Sequence, residues 1–245
     1  MSGGPQGIII QSASCRLLGA LYLGVGDGPR PTALILHGIP GIEKNTDLAY
    51  ALRDAGWNAL IFHYRGSWGS DGAYTIAGMP DDVHAAIDEL LSGKYPVDAR
   101  RLAVVGYSLG GWVAVVSAAR ENRIRAAVTI GGVSNMRTWH VLEETWVHWA
   151  DFLSGTSGGE LMSQHRALGK TRNPVDVIGD LGSTPVLIVH GSADDVVPVE
   201  QARALYQASS GLDDLVVIEG ADHAFSQQRR QMVDVVVNWL VRNVK

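Results

Sequence analysis

Six short apolar runs, each meeting a glycine within a few residues of its end, constrain this chain more than any other feature. They are Leu34-Ile35-Leu36, Ala59-Leu60-Ile61-Phe62, Leu102-Ala103-Val104-Val105, Ala127-Val128-Thr129-Ile130, Val186-Leu187-Ile188-Val189 and Leu215-Val216-Val217-Ile218. Their apolarity is continuous, not alternating, so each reads as a strand covered on both faces. That is the pattern of a mostly parallel sheet with helices on both faces, an α/β fold. Helical patterns fill the gaps. Asn45 or Thr46 caps a segment carrying Leu48, Ala51, Leu52 and Ala55; Pro80, Asp81 and Asp82 open a second; Arg230 to Val244 carries Met232, Val233, Val236, Val237 and Leu240 on one stripe. Gly7 to Leu23 reads as a hairpin, which gives the sheet an N-terminal antiparallel edge.

A chain of 245 residues buries about 70% of its unfolded surface on folding, enough for one large domain spanning 1–245. Its lone cysteine, Cys15, excludes an internal disulfide framework and fits a reducing compartment. Twenty Lys and Arg against 25 Asp and Glu leave a net charge of −5 with no basic run, which argues against nucleic acid or an anionic membrane as partner. Met1 to Gly7 has no basic leader pattern and no apolar stretch reaches spanning length, so the expected location is cytoplasmic. One interval breaks the rhythm: more than fifty residues separate Ile130 from Pro185, where a crossover helix needs a dozen or two. A cap insertion at about 133–180 is expected there. It holds a Gly/Ser loop at Ser154 to Gly159, a polar segment around Gln164 to Asn173, and three of the seven tryptophans.

Gly106-Tyr107-Ser108-Leu109-Gly110-Gly111 lies directly after a strand and before a helix of small residues. A serine on such a sharp turn needs small neighbours two residues to either side, because its backbone is strained and other chain passes close by. The pattern alone recurs by chance in glycine-rich chains; its strand and helix flanks make it specific. A serine hydroxyl attacks only when a base takes its proton, so a histidine oriented by a carboxylate is required. His190 to Pro198 follows the fifth run and contains Asp194 and Asp195; Gly220 to Phe225 follows the sixth and contains His223. Ser108, an Asp and His223 thus fall at the carboxyl edge of the sheet, where open α/β folds place their sites.

Eight histidines compete for the base. His37 and His190 precede glycines and read as structural hydrogen-bonders; His63 ends a strand; His84, His140, His148 and His165 lie in helical or inserted segments. Only His223 stands in a strand-end loop downstream of an acid. Asp194 and Asp195 remain alternatives, since adjacent residues point in different directions, and Asp222 reads as a turn residue. An oxyanion hole needs two backbone N–H groups. Leu109 supplies one; the other comes from the loop His37-Gly38-Ile39-Pro40-Gly41, where Pro40 has no N–H and Ile39 is the donor of choice.

Taken together, His37 to Gly41, Tyr64-Arg65-Gly66-Ser67-Trp68-Gly69-Ser70-Asp71-Gly72, Gly106 to Gly111, the Gly191-x-x-Asp194-x-x-Val197-Pro198 spacing and His223 resemble an α/β-hydrolase of the serine esterase branch over nearly the whole chain. Within that superfamily the chain is similar to bacterial cinnamoyl/feruloyl-type esterases and to the catalytic domains of prolyl-oligopeptidase-like hydrolases. The resemblance implies Asp194 as the acid, and a small cap inserted after the sixth strand of the full sheet. The chain lacks the large propeller of true prolyl oligopeptidases, which implies ester over peptide hydrolysis.

Trp139, Trp146 and Trp149 are spaced seven and three apart and with Leu142 would share one helical face. That face either glues the cap to the body or lines an acyl or aromatic pocket; both roles fit tryptophan. His140, Glu144 and His148 recur at every fourth position, but a solvated face explains them better than a metal, for which further ligands are lacking. The expectation is a serine hydrolase acting on carboxylic esters of small or aromatic acyl groups, with no metal or organic cofactor. Its partner would be a small-molecule ester, with a homodimer admitted. The alternatives are a small-peptide or amide hydrolase with the same triad and a non-catalytic binding protein on this fold.

Overall fold

The computed structural model describes residues 4–171, 173–209 and 213–245; Met1 to Gly3 of the opening stretch and Arg172 of the polar segment lie outside them. A hairpin begins the chain, β1 (Gln6–Ser12) and β2 (Cys15–Tyr22), followed by β3 (Arg30–Leu36), α1 (Thr46–Asp54), β4 (Asn58–Phe62) and α2 (Met79–Leu90). Then come β5 (Val97–Tyr107), α3 (Leu109–Ala118) and β6 (Ile124–Ile130). Three helices, α4 (Glu143–Ala150), α5 (Gly158–Leu168) and α6 (Pro174–Val177), separate β6 from β7 (Val186–Gly191), and α7 (Glu200–Gln207), β8 (Asp214–Ile218) and α8 (Arg229–Asn243) close the fold.

These strands form an eight-stranded sheet in the order β1-β2-β4-β3-β5-β6-β7-β8. The pairs from β4 through β8 are parallel, while β1–β2 and β2–β4 are antiparallel. Alternate residues of each central strand feed opposite layers. Leu34 and Leu36 pack with α2 and α3, whereas Ala33 and Ile35 pack with α1 and α8. This two-sided burial is the physical reason the six runs lack alternation. It fails at β8, where Asp214 and Val217 are exposed and Leu215 and Val216 only half-buried: the strand is the sheet's edge, with a neighbour on one side alone. Asn45 stands at the N-terminus of α1, but in a left-handed conformation (φ 53°) and without a side-chain cap; its amide oxygen accepts instead from Arg229.

The order places β3 beside β5, with the connection from β3 running toward β4 and that from β5 toward β6. Loops after β3 and β5 therefore diverge and leave a crevice at the carboxyl ends of the two central strands. The segment between β6 and β7 lies across this edge. Ser154 N–H donates to Gly66 O and Tyr74 N–H to Ser154 O, both within 2.9 Å, and Ser67 bridges to Leu153. Gln164 accepts from Ile76 N–H, and the Trp68 and Phe152 rings stack with centroids 6.1 Å apart. No helix among the described residues is long and apolar enough to cross a membrane.

Candidate active site

Ser108 occupies the turn between β5 and α3 with φ 57° and ψ −123°, a conformation that ordinary residues avoid and that surrounding structure must impose. Ser108 N–H donates to Ile130 O at 2.9 Å and its carbonyl accepts from Gly111 and Val133, so the turn is tied to the end of β6. A Cβ on Gly106 would run into the Gly110 carbonyl, and one on Gly38 would come 2.7 Å from the Ser108 Cβ. Gly106 is required because backbone passes where its side chain would stand, and Gly38 because the Ser108 side chain already occupies that space. Leu109 is the first residue of α3, so its N–H has no acceptor within the helix.

Asp194 follows β7 and its side chain is fully buried. One carboxylate oxygen, Oδ1, accepts from the N–H groups of Val196 and Val197 at 3.0 and 2.8 Å; the other, Oδ2, lies 2.7 Å from His223 Nδ1 and 3.4 Å from His190 Nε2. Burial pushes this carboxyl up, but the two histidines and the Val197 amide outweigh it and hold Asp194 well below the usual carboxylate range. It is therefore an anion at neutral pH, which fixes a proton on His223 Nδ1 and leaves Nε2 free to accept one. Asp195, next along the chain, is exposed. The His223 ring lies 5.0 Å from that of Tyr107, whose hydroxyl donates to the His223 carbonyl at 3.2 Å.

Ser108 and His223 line one cavity of about 350 Å³, together with Gly38, Ile39, Pro40, Gly41, Ile42, Glu43, Tyr107, Trp149, Val196 and Ala224. That volume suits a small organic substrate. A larger groove of about 1180 Å³ between β8 and α8 shares no residue with it, and holds no serine or histidine.

The three tryptophans of the segment between β6 and β7 divide. Trp149 lines the cavity; Trp139 and Trp146 are 0% and 1% exposed and are not on its wall. The expected place of Trp139 and Trp146 in the pocket is corrected: both rings pack against each other, Trp149 and His165 instead, and the single helical face expected for all three is absent because α4 begins only at Glu143. Trp139 precedes the helix, Leu142 is 68% exposed, and the shared helical face does not exist. The rings still meet, through tertiary packing: Trp139 stacks on Trp149 at 6.2 Å and Trp146 meets both edge-on. Trp139 Nε1–H donates to Val196 O at 3.0 Å, linking the segment between β6 and β7 to the loop that holds Asp194. His140, Glu144 and His148 are all exposed, and no group of three or more metal-ligating side chains comes together among the described residues.

Sequence reasoning passed over several residues that shape the site. Asn173, expected in a polar segment, is wholly buried: it accepts from Trp112 Nε1 and Met136 N and donates to Leu168 O and Thr171 O. Gln201 likewise ties Ser134 and Asn135 to α7. Nothing in a single sequence marks a polar residue as buried; an asparagine directly before a proline that opens a helix was the available signal for Asn173. Glu43 and Val196 on the cavity wall carried no signal beyond lying in strand-end loops.

The chain is 26% identical over 227 residues to the uncharacterized protein YfhR of Escherichia coli K12, covering 89% of this chain and 74% of that protein. It is 27% identical over 237 residues to the uncharacterized peptidase YuxL of Bacillus subtilis, covering 87% of this chain and 35% of that one. Among solved structures it superposes on Est1E of Butyrivibrio proteoclasticus with ferulic acid bound, with a TM-score of 0.80 at 22% identity, over 97% and 99% of the two chains. It also superposes on a puromycin-hydrolyzing peptidase of Mycobacterium tuberculosis, with a TM-score of 0.76 at 19% identity, over 98% and 40%. At such identities the superpositions establish the α/β-hydrolase fold, and the sequence supplies the rest: residues 45–245 match the model of the prolyl oligopeptidase family, to which the chain belongs.

Proposed function

We propose that the protein is a serine hydrolase that cleaves carboxylic esters of small or aromatic acyl groups through an acyl-enzyme. The observation that carries this reading is the buried Asp194 carboxylate 2.7 Å from Nδ1 of His223, a residue that lines one cavity together with Ser108. In the proposed cycle the substrate carbonyl lies against the Ile39 and Leu109 N–H groups. Ser108 Oγ attacks the acyl carbon while His223 Nε2 takes its proton, and the negative charge that develops on the carbonyl oxygen is held by the two amides. Collapse expels the alcohol, protonated by His223, and leaves the acyl group on Ser108. Water then attacks with His223 as base, the acid departs, and Ser108 is regenerated.

The mostly apolar wall, with Ile39, Ile42, Val196 and the Trp149 ring, supports an acyl group of modest size. A small-peptide or amide hydrolase uses the same machinery, and membership of the prolyl oligopeptidase family keeps it as the second reading. Labelling by a fluorophosphonate probe tests the assignment. Wild type is expected to label at one site and Ser108→Ala not at all; equal labelling of the two would overturn it. Comparison of kcat/KM on 4-nitrophenyl acyl esters, methyl ferulate and aminoacyl amides then ranks the readings, and a clear preference for the amides would reverse the order.

A further inference from the structure

Glu43 is the one carboxylate on the cavity wall, and nothing in the proposed cycle uses it. It stands in the loop after β3, its side chain 40% exposed. Oε1 accepts from Asn45 N–H at 2.7 Å and lies 3.3 Å from Arg229 Nη2. Among the described residues, Oε2 accepts no hydrogen bond.

Arg229 pairs with this carboxylate through Oε1 alone, and its guanidinium is shared with other acceptors. It pairs with both oxygens of Asp47 at 2.6 and 2.7 Å, donates to Asn45 Oδ1 at 2.7 Å, and approaches Ala224 O. Glu43 and Asp47 thus share the one Arg229 guanidinium; the other cation of this loop, Lys44, lies over the Trp68 ring at 4.4 Å, and neither Lys44 nor Arg229 lines the cavity that Glu43 lines. The remaining wall is apolar or aromatic except for the Ser108 and His223 machinery, and includes Tyr107 and Trp149. A carboxylate with an unoccupied oxygen on a mostly apolar wall favours a compact cation and repels an anion.

We propose that Glu43 is a specificity-determining residue that selects substrates carrying a primary ammonium group near the scissile carbonyl. This deepens the proposed function and rests on the Ser108 assignment. Uncharged acyl esters remain substrates, esters with an ammonium on the acyl chain are preferred, and those with a carboxylate in the same place are disfavoured.

The test compares two isosteric pairs of methyl esters at pH 6.5, where the amines are charged: alanine against isobutyrate, and 3-aminopropanoate against butyrate. Acid release gives kcat/KM, and the charged-to-neutral ratio is taken in wild type, Glu43→Gln and Glu43→Asp, so that intrinsic ester reactivity cancels between proteins. Gln keeps an acceptor for Asn45 N–H; Asp keeps the charge on a shorter stem. For at least one pair the ratio is expected to fall about tenfold in Glu43→Gln and less in Glu43→Asp. Ratios that stay within twofold of wild type for both pairs, or that fall equally in the two variants, overturn the inference while leaving the hydrolase reading in place. Turnover that persists in Ser108→Ala, or none in wild type, takes down both.

Discussion

Asp194 illustrates how much one residue owes to its neighbours. Its two oxygens accept from Val196 N, Val197 N and His223, with His190 Nε2 at 3.4 Å, and its side chain meets no solvent. A carboxylate so held cannot swing away, so the imidazole it orients has a single direction and a single tautomer. His190 is fixed in turn by the Val197 carbonyl, 2.7 Å from its Nε2. Asp194→Asn preserves the shape of this cluster but allows the amide to donate to His223, inverting the tautomer. We expect kcat to fall roughly 10,000-fold with little change in KM. Asp195→Asn, on an exposed side chain, should leave both constants near wild type. Steady-state kinetics on a 4-nitrophenyl ester checks the pair, and comparable losses in the two variants would transfer the role to Asp195. At the same scale, the choice between the two carboxylates was open in the residues themselves, since adjacent side chains at a strand end point apart by an angle that only the loop's path sets.

Among the elements, the segment between β6 and β7 departs furthest from the pattern of the rest. Spacing alone put its three tryptophans on one helix face, yet the helix starts too late for Trp139 to belong to it. The sum of what surrounds those rings, not their periodicity, decides their roles. Trp146 is enclosed by Trp139, Trp149 and His165, whereas Trp149 keeps part of its surface on the cavity. Trp146→Ala should therefore cost about 3 to 5 kcal/mol of stability, as large aromatic truncations in packed sites do. Trp149→Ala should instead shift the preference for acyl chain length by several-fold. Urea unfolding and an ester series separate the two; a Trp146→Ala protein of unchanged stability, or a Trp149→Ala protein with an unchanged profile, would refute the division. By contrast, the strands and the main helices were legible to within a few residues. Their burial on both faces is imposed by a parallel sheet, and a two-sided layer leaves an unbroken apolar run as its trace.

At the level of the whole molecule, neutral histidines buried under the site link stability to pH. His37 is 1% exposed, its Nδ1 2.7 Å from Gly38 O, and its ring lies 5.4 Å from His63 and 4.7 Å from Tyr64. Burial lowers its pKa from 6.5 to about 4, with nearby Lys44 pushing the same way. Folding therefore favours the neutral ring. The unfolded chain binds the extra proton first, so stability is fully present above pH 6.5 and declines as the pH falls toward 4, by about 3 kcal/mol from this residue. The Asp194 contribution, held by a depressed carboxyl, is lost only at lower pH. The melting temperature measured from pH 7 to pH 4 should fall along this window and fall less in His37→Gln; an equal slope in both proteins would dissociate His37 from the effect. Across the same scale, sequence by itself determined the layered α/β architecture, the sharp turn at Ser108 and the strand ends that carry Asp194 and His223, because continuous apolar runs, glycines and loop chemistry are local consequences of burial and backbone geometry. Tertiary structure alone decided which tryptophan reaches the cavity and that Glu43 stands there with an oxygen to spare, and it supplied the contact between His223 and Asp194 that only the motif resemblance had implied. Those outcomes depend on distances between segments up to 186 residues apart in the chain, and no local pattern encodes a distance.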